Sequence, residues 1–209
     1  AAPETASPGA KPAPVTVPAV VTPAPTPGAP PARFTLGAAF ALEHFSGGQT
    51  HLGPTVALTF HPGERWLASL AAEGRQGRAV ATTDGQVTSR LLGVRLAVGA
   101  KLLGHAAPFV LSVDGGVRVA RLWFEGKPAA DTGQVGAQIG TTSVVSDVML
   151  ALRSRLGRRS PIWLGVAAGA GLPLLAQQAA RASSSGTTAP VTAASGLLLE
   201  GQAGLGVEF

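Results

Sequence analysis

Cysteine and tyrosine are both missing from the 209 residues, charged side chains make up only 13%, and methionine occurs once. Without cysteine there is no disulfide framework, no thiolate metal site and no lipid-modified N-terminal Cys. Without tyrosine, any interfacial aromatic has to be Phe or Trp. The shortage of charge bears on solvent, because a water-facing surface usually carries roughly 25–35% Lys, Arg, Glu and Asp. With a mean hydropathy of +0.29, much of this surface requires a cover other than water. Gly-rich phosphate loops, a nucleophile elbow and zinc-like spacing among the histidines at 44, 51, 61 and 105 are also lacking, so neither metal nor cofactor is expected. The net charge of +5 comes from sixteen Lys and Arg scattered over the chain. No basic helix or aromatic-interleaved basic patch appears, which argues against nucleic acid.

Residues 1–33 hold ten of the seventeen prolines, separated mainly by Ala, Thr and Val. Such a stretch favours polyproline II or disorder and is read as a linker, with a reach on the order of 100 Å if fully extended. It has no continuous apolar core of the signal-peptide kind. Ala1 is therefore read as the start of a processed, exported chain.

From Phe34 to Phe209 the apolar residues recur at every second position. In the last segment Leu197, Leu199, Ala203, Leu205, Val207 and Phe209 share one face, while Leu198, Glu200, Gln202, Gly204, Gly206 and Glu208 share the other. Eight alternating segments are predicted, at 34–45, 52–60, 66–75, 87–98, 108–120, 144–155, 162–175 and 197–209. Each is near the 9–11 residues that a tilted strand needs to cross a bilayer. Connections 61–65, 99–107 and 156–161 are short, while 76–86, 121–143 and 176–196 are long and rich in small residues; 46–51 is a short exception on the long side. Phe34, Phe60, Trp66, Phe109, Trp163 and Phe209 fall at the short-turn ends, and Phe45, Trp123 and Phe124 at the opposite ends. Two aromatic girdles are the expected result.

Alternation alone does not say which face is wet, and a soluble sandwich or lipocalin-like barrel would alternate too. The second face decides between them. It reads Gly165, Ala167, Gly169, Gly171 in one segment and Thr35, Gly37, Ala39, Ala41, Glu43 in another. That suits the crowded lumen of a small barrel better than a solvated sheet. Ser160 to Ala180 carries no charge for twenty-one residues, which also permits a transmembrane helix. Gly165, Gly169, Gly171, Pro173 and the two-residue period weigh against it.

Parity sends Glu43, Glu73, Arg75, Arg95, Asp114, Arg118, Asp147, Arg153, Arg155 and Glu200 into the lumen. Charges there have to be paired, so an ion-pair plug is expected in preference to a narrow gated pore. Arg90 and Arg121 fall on the apolar face at the long-loop ends, either as contacts to lipid or lipopolysaccharide phosphates or through a slip of parity at fraying strand ends. His44 and Ser46 share the lipid-facing parity with Glu43 adjacent, and a His beside a Ser can activate it for acyl transfer. This His-x-Ser resembles the motif of the outer-membrane lipid A deacylases, which implies a lipid-modifying esterase as an alternative function. Gly47 stands where that family has Asn, and the motif lies on the first strand instead of late in the barrel.

Over residues 34–209 the terminal Phe209, the alternating Leu205 and Val207 before it, the eight segments and the asymmetric connections resemble small outer-membrane barrels of the OmpA and OmpX type. The resemblance implies an all-β, eight-stranded antiparallel up-and-down transmembrane barrel in the bacterial outer membrane, the proline-rich arm lying in the periplasm. It also implies that Phe209 is read by the barrel-assembly machinery. The expected role is non-enzymatic: a membrane anchor or docking component of a cell-envelope assembly, with a periplasmic or envelope protein partner for residues 1–33.

Overall fold

The computed structural model describes residues 33–82, 85–103, 109–129, 136–157, 160–175, 177–182 and 188–209. Eight long strands, β1 (Arg33–Phe45), β2 (Thr50–His61), β3 (Trp66–Gly77), β5 (Gly85–Leu103), β6 (Phe109–Pro128), β7 (Gln138–Arg155), β8 (Ile162–Leu175) and β11 (Leu198–Glu208), form one sheet. Each pairs antiparallel with its neighbours, β3 with β5 and β11 with β1, so the sheet closes. Closure leaves no long strand with an unpaired edge. A short β4 (Val80–Thr82) pairs antiparallel with the first residues of β5, and β9 (Gln177–Ala182) pairs with β10 (Thr188–Ala194) as a separate hairpin. The polyproline reading of residues 1–32 and the histidine at 105 lie outside the described residues.

The two-residue period translates directly into two faces. On β2, Leu52, Val56 and Leu58 are exposed while His51, Thr55 and Thr59 are buried; on β11, Leu199, Leu205 and Val207 are exposed while Leu198 and Glu200 are buried. At the level of the apolar belt the interior is thus mostly polar or small and the exterior apolar, the inverse of a soluble barrel. The outward apolar run on β2 from Leu52 to Phe60 matches the 9–11 residues of a bilayer crossing. Residues 160–175, open to a helical reading in the sequence, are strand β8 and its approach.

Three strands run far beyond the predicted segments. Positions 121–128 and 138–143 of the predicted loop are strand, paired in register from Arg121↔Thr142 to Glu125↔Gln138. Ladder pairing continues past the apolar belt because Thr, Val, Phe and Trp suit a sheet in water as well as in lipid. The predicted loops 76–86 and 176–196 likewise contain β4, β9 and β10. At the other rim β2 and β3 are joined by only residues 62–65, and Gly157, at a φ of +118°, takes a left-handed conformation just past β7.

Aromatic placement follows parity more strictly than position along a strand. Phe34, Trp66, Phe109 and Phe209 are exposed at the short-turn rim, and Phe34 packs against Phe60 and Phe209 with ring centroids 5.0 and 6.1 Å away. Trp163 does not join this girdle. It is buried on the lumen side, its Nε1–H donating to Glu208 at 3.0 Å while Arg155 lies 4.7 Å over its ring. Phe45 and Phe124 also point inward, so the second girdle predicted at the long-loop rim does not form from them.

Candidate functional site

The lumen is filled in layers, and the first is ionic. Glu43 (β1), Glu73 and Arg75 (β3), Arg118 (β6) and Glu200 (β11) converge from four strands and are all buried. Arg75 donates to Glu43 at 2.5 Å and to Glu200 at 2.7 Å, and forms an ion pair with Glu73 at 3.1 Å. Arg118 meets Glu43 at 2.5 Å and Glu73 at 3.2 Å. Charge-assisted bonds of this kind are stronger than neutral ones, and in a lumen with little water their loss leaves an uncompensated charge. Against the opposite wall Arg95 holds Asp114 at 2.6 Å and also bonds Asp147. Arg155 pairs with Glu208 at 2.9 Å nearer the short-turn rim, beside Arg33 at 3.0 Å from the same carboxylate.

A row of close polar contacts not foreseen from the sequence runs off the ionic layer. Glu43 and His51 are register partners on β1 and β2, with His51 Nδ1 2.9 Å from Glu43 Oε1. The ring's Nε2 lies 2.9 Å from the Ser89 hydroxyl of β5. Gly77 of β3, opposite His51 in the register, is what lets the ring reach that far. A Cβ there would collide with the Ser89 hydroxyl and crowd the His51 ring. The order hydroxyl, imidazole, carboxylate is that of an acyl-transfer triad. Ser89 is 1% exposed, however, and Glu43 is already engaged by two guanidinium groups. In this geometry the row acts as a strut joining three strands.

Above these polar layers, toward the long-loop rim, Phe45, Leu91, Leu122, Phe124, Val145 and Leu198 pack into a buried apolar cluster inside the barrel. His51 meets the edge of this cap, its ring 6.0 Å from that of Phe45 at 88°. Parity carried the signal for the cap, since Phe45, Phe124 and Leu198 keep the phase of Glu43, Arg118 and Glu200. Toward the short-turn rim the lumen is emptier. A cavity of about 130 Å³ lies there, bounded by Thr35, Thr55, Thr59, Arg153, Trp163 and Gln202 among others.

On the outside, a polar collar sits above the apolar belt. His44 pairs with Thr50, Gln76 with Arg90 and Arg121 with Thr142 in the registers of successive hairpins. Arg90 and Arg121 are exposed on the outer face, and their strands continue to Gly85 and Pro128, so a parity slip at fraying ends does not apply. His44 Nδ1 is 2.8 Å from the Thr50 hydroxyl, and Ser46 Oγ accepts the Leu197 N–H at 2.9 Å. Strand alternation puts Glu43 on the opposite face from His44, buried in the lumen, so it does not orient that ring. Among the described residues no cluster of His, Asp and Glu could hold a metal ion.

Eight antiparallel strands, a closed sheet and an apolar exterior characterise membrane barrels, and solved structures show the same arrangement. The crystal structure of a major outer membrane protein from Thermus thermophilus superposes with a TM-score of 0.62 at 15% identity, covering 86% of this chain and 100% of that one. This chain has the fold of a small outer-membrane β-barrel. Two further similar structures are Ail of Yersinia pestis, with a TM-score of 0.48 at 9% identity over 85% of this chain and 97% of that one, and OprG of Pseudomonas aeruginosa, with 0.46 at 11% over 85% and 95%. No protein-family model matches the chain, and no curated protein sequence matches it. The barrel is therefore recognisable by its three-dimensional arrangement and by the inversion of its faces.

Proposed function

We propose that this protein is a non-conducting anchor of the bacterial outer membrane, docking another envelope component. The observation that carries the reading is the double occlusion of the lumen. An apolar cap of Phe45, Leu122, Phe124 and Leu198 lies over a buried network of Glu43, Glu73, Arg75, Arg118 and Glu200. Ions would have to cross a dry layer and a layer whose three carboxylates and two guanidinium groups already engage one another, and either is a barrier.

The surfaces left for function are then the ends. The extensions of β5, β6 and β7 beyond the apolar belt form a paired sheet suited to docking at the cell exterior, and the Arg90 and Arg121 collar suits lipopolysaccharide phosphates. Residues 1–33 serve as a periplasmic arm that a partner orders on binding, and Phe209 serves the barrel-assembly machinery. Planar-bilayer recording tests the core of this proposal. Wild-type protein should give no discrete conductance, while Phe45→Ala combined with Glu43→Ala and Arg118→Ala should give steps. Conductance in the wild type would refute it. Deleting residues 1–33 should leave membrane insertion intact and abolish periplasmic co-purification; an unchanged partner set would reject the tether.

A further inference from the structure

Of the five lumen arginines, four are spoken for: Arg75, Arg95, Arg118 and Arg155 each pair with a carboxylate. Arg153 differs. Among the described residues it has neither a hydrogen bond nor an ion pair, and its nearest acids are engaged elsewhere, Asp114 with Arg95 and Glu208 with Arg33 and Arg155. It borders the cavity of about 130 Å³ at the short-turn end of the lumen.

The register explains why space exists there. Arg153 is opposite Gly165, Gly165 opposite Gly204, Gly204 opposite Ala39, and Ala39 opposite Thr55. Between the guanidinium and Thr55, three successive strands contribute no side chain larger than a methyl group, so a void remains across the barrel. Thr55, only 4% exposed, lines the void from the far side, and its hydroxyl has no hydrogen-bond partner. A half-buried cation with no paired carboxylate and a buried hydroxyl with no partner thus border one cavity, and the hydroxyl is costly to bury without a ligand.

We propose that this cavity is a binding site for a small organic carboxylate with a compact apolar body. A guanidinium fork matches a carboxylate in a bidentate pair, and the Thr55 hydroxyl supplies a further donor. The glycine and alanine wall and the Trp163 ring accept an apolar body. The volume is close to that of the engineered cavity of about 150 Å³ that takes up benzene. Among the described residues side-chain charge at this end favours anions: Arg33, Arg65, Lys101, Arg153 and Arg155 stand against Glu64 and Glu208, and a net excess of one sign concentrates ions of the other. The site requires the barrel alone and is independent of the anchoring role.

The full chain, folded in detergent micelles, is titrated with sodium benzoate in a Trp66→Phe, Trp123→Phe background, so that Trp163 alone reports. A saturable fluorescence change is expected with a Kd of roughly 1 mM, as suits a ligand of this size. Arg153→Met should raise that Kd about tenfold or more, as loss of a charge-assisted bond does. Ala57→Leu, which keeps Arg153 but fills the void, should also abolish saturation, and benzyl alcohol should bind at least tenfold more weakly than benzoate. Heat-modifiable migration on gels confirms that each variant is folded. The proposal is overturned if benzoate does not saturate, if folded Arg153→Met or Ala57→Leu binds it as wild type does, or if benzyl alcohol binds equally well.

Discussion

Glu43→Gln probes the ionic layer most sharply, because one carboxylate touches three partners. It receives Arg75 and Arg118 at 2.5 Å each and lies 2.9 Å from His51 Nδ1. The amide keeps the shape and removes the charge: its oxygen can still accept from Arg75 and Arg118 where Oε2 stood, but as a neutral acceptor, and its NH2 takes the place of Oε1 beside His51. Breaking a buried ion pair by removing one partner typically costs about 3–5 kcal/mol. Arg75 retains Glu200 at 2.7 Å and Glu73 at 3.1 Å, and Arg118 retains Glu73 at 3.2 Å. The lower end, about 3 kcal/mol, is therefore expected, equivalent to a loss of roughly a hundredfold in the folded population. Urea unfolding of the refolded protein, followed by heat-modifiable migration and tryptophan fluorescence, measures it. Adding Arg118→Met should recover part of the loss, since the orphaned cation is removed together with its partner. A Glu43→Gln barrel as stable as wild type, or a double variant whose losses merely add, would mean that the layer is hydrated and that its pairs contribute little.

Gly77→Ala should cost about 1–3 kcal/mol, because the added methyl strikes the Ser89 hydroxyl; Ser89→Ala in the same chain should restore part of that, and urea midpoints of the two variants decide it. Leu205→Arg places a charge on the outer face of β11, where Leu205 is 56% exposed, and should destabilise the lipid-embedded barrel by about 2 kcal/mol or more. The same change should be nearly neutral if that face were wet, so equal stability in bilayers would sink the orientation of the faces. Phe209→Ala should lower the yield of membrane-inserted barrel in cells while leaving refolding into detergent almost unchanged, as read from gel migration in each setting.

Local alternation and its consequences were legible in the chain alone. A period of two sends each side chain to one of two faces whatever the rest of the chain does, so the outward Leu and Val and the inward Glu, Arg and Gly could be assigned residue by residue. The hairpin order followed from the connections, and the choice of an apolar exterior followed from a second face whose long runs of Gly and Ala do not suit a solvated sheet. Trp163, Phe45 and Phe124 were misplaced only where position along the strand was allowed to override parity.

Parity says nothing about height or distance across the lumen, and those were settled by closure of the sheet. Which residues share a level depends on the stagger accumulated around the barrel and fixed where β1 meets β11 and β3 meets β5. That stagger places Ser89 beside His51 across a glycine, gathers Glu43, Glu73 and Glu200 around two arginines, and leaves Arg153 facing Thr55 across Gly165, Gly204 and Ala39. No local pattern encodes these meetings, because they join strands far apart in the chain through a closure that exists only once the barrel has formed.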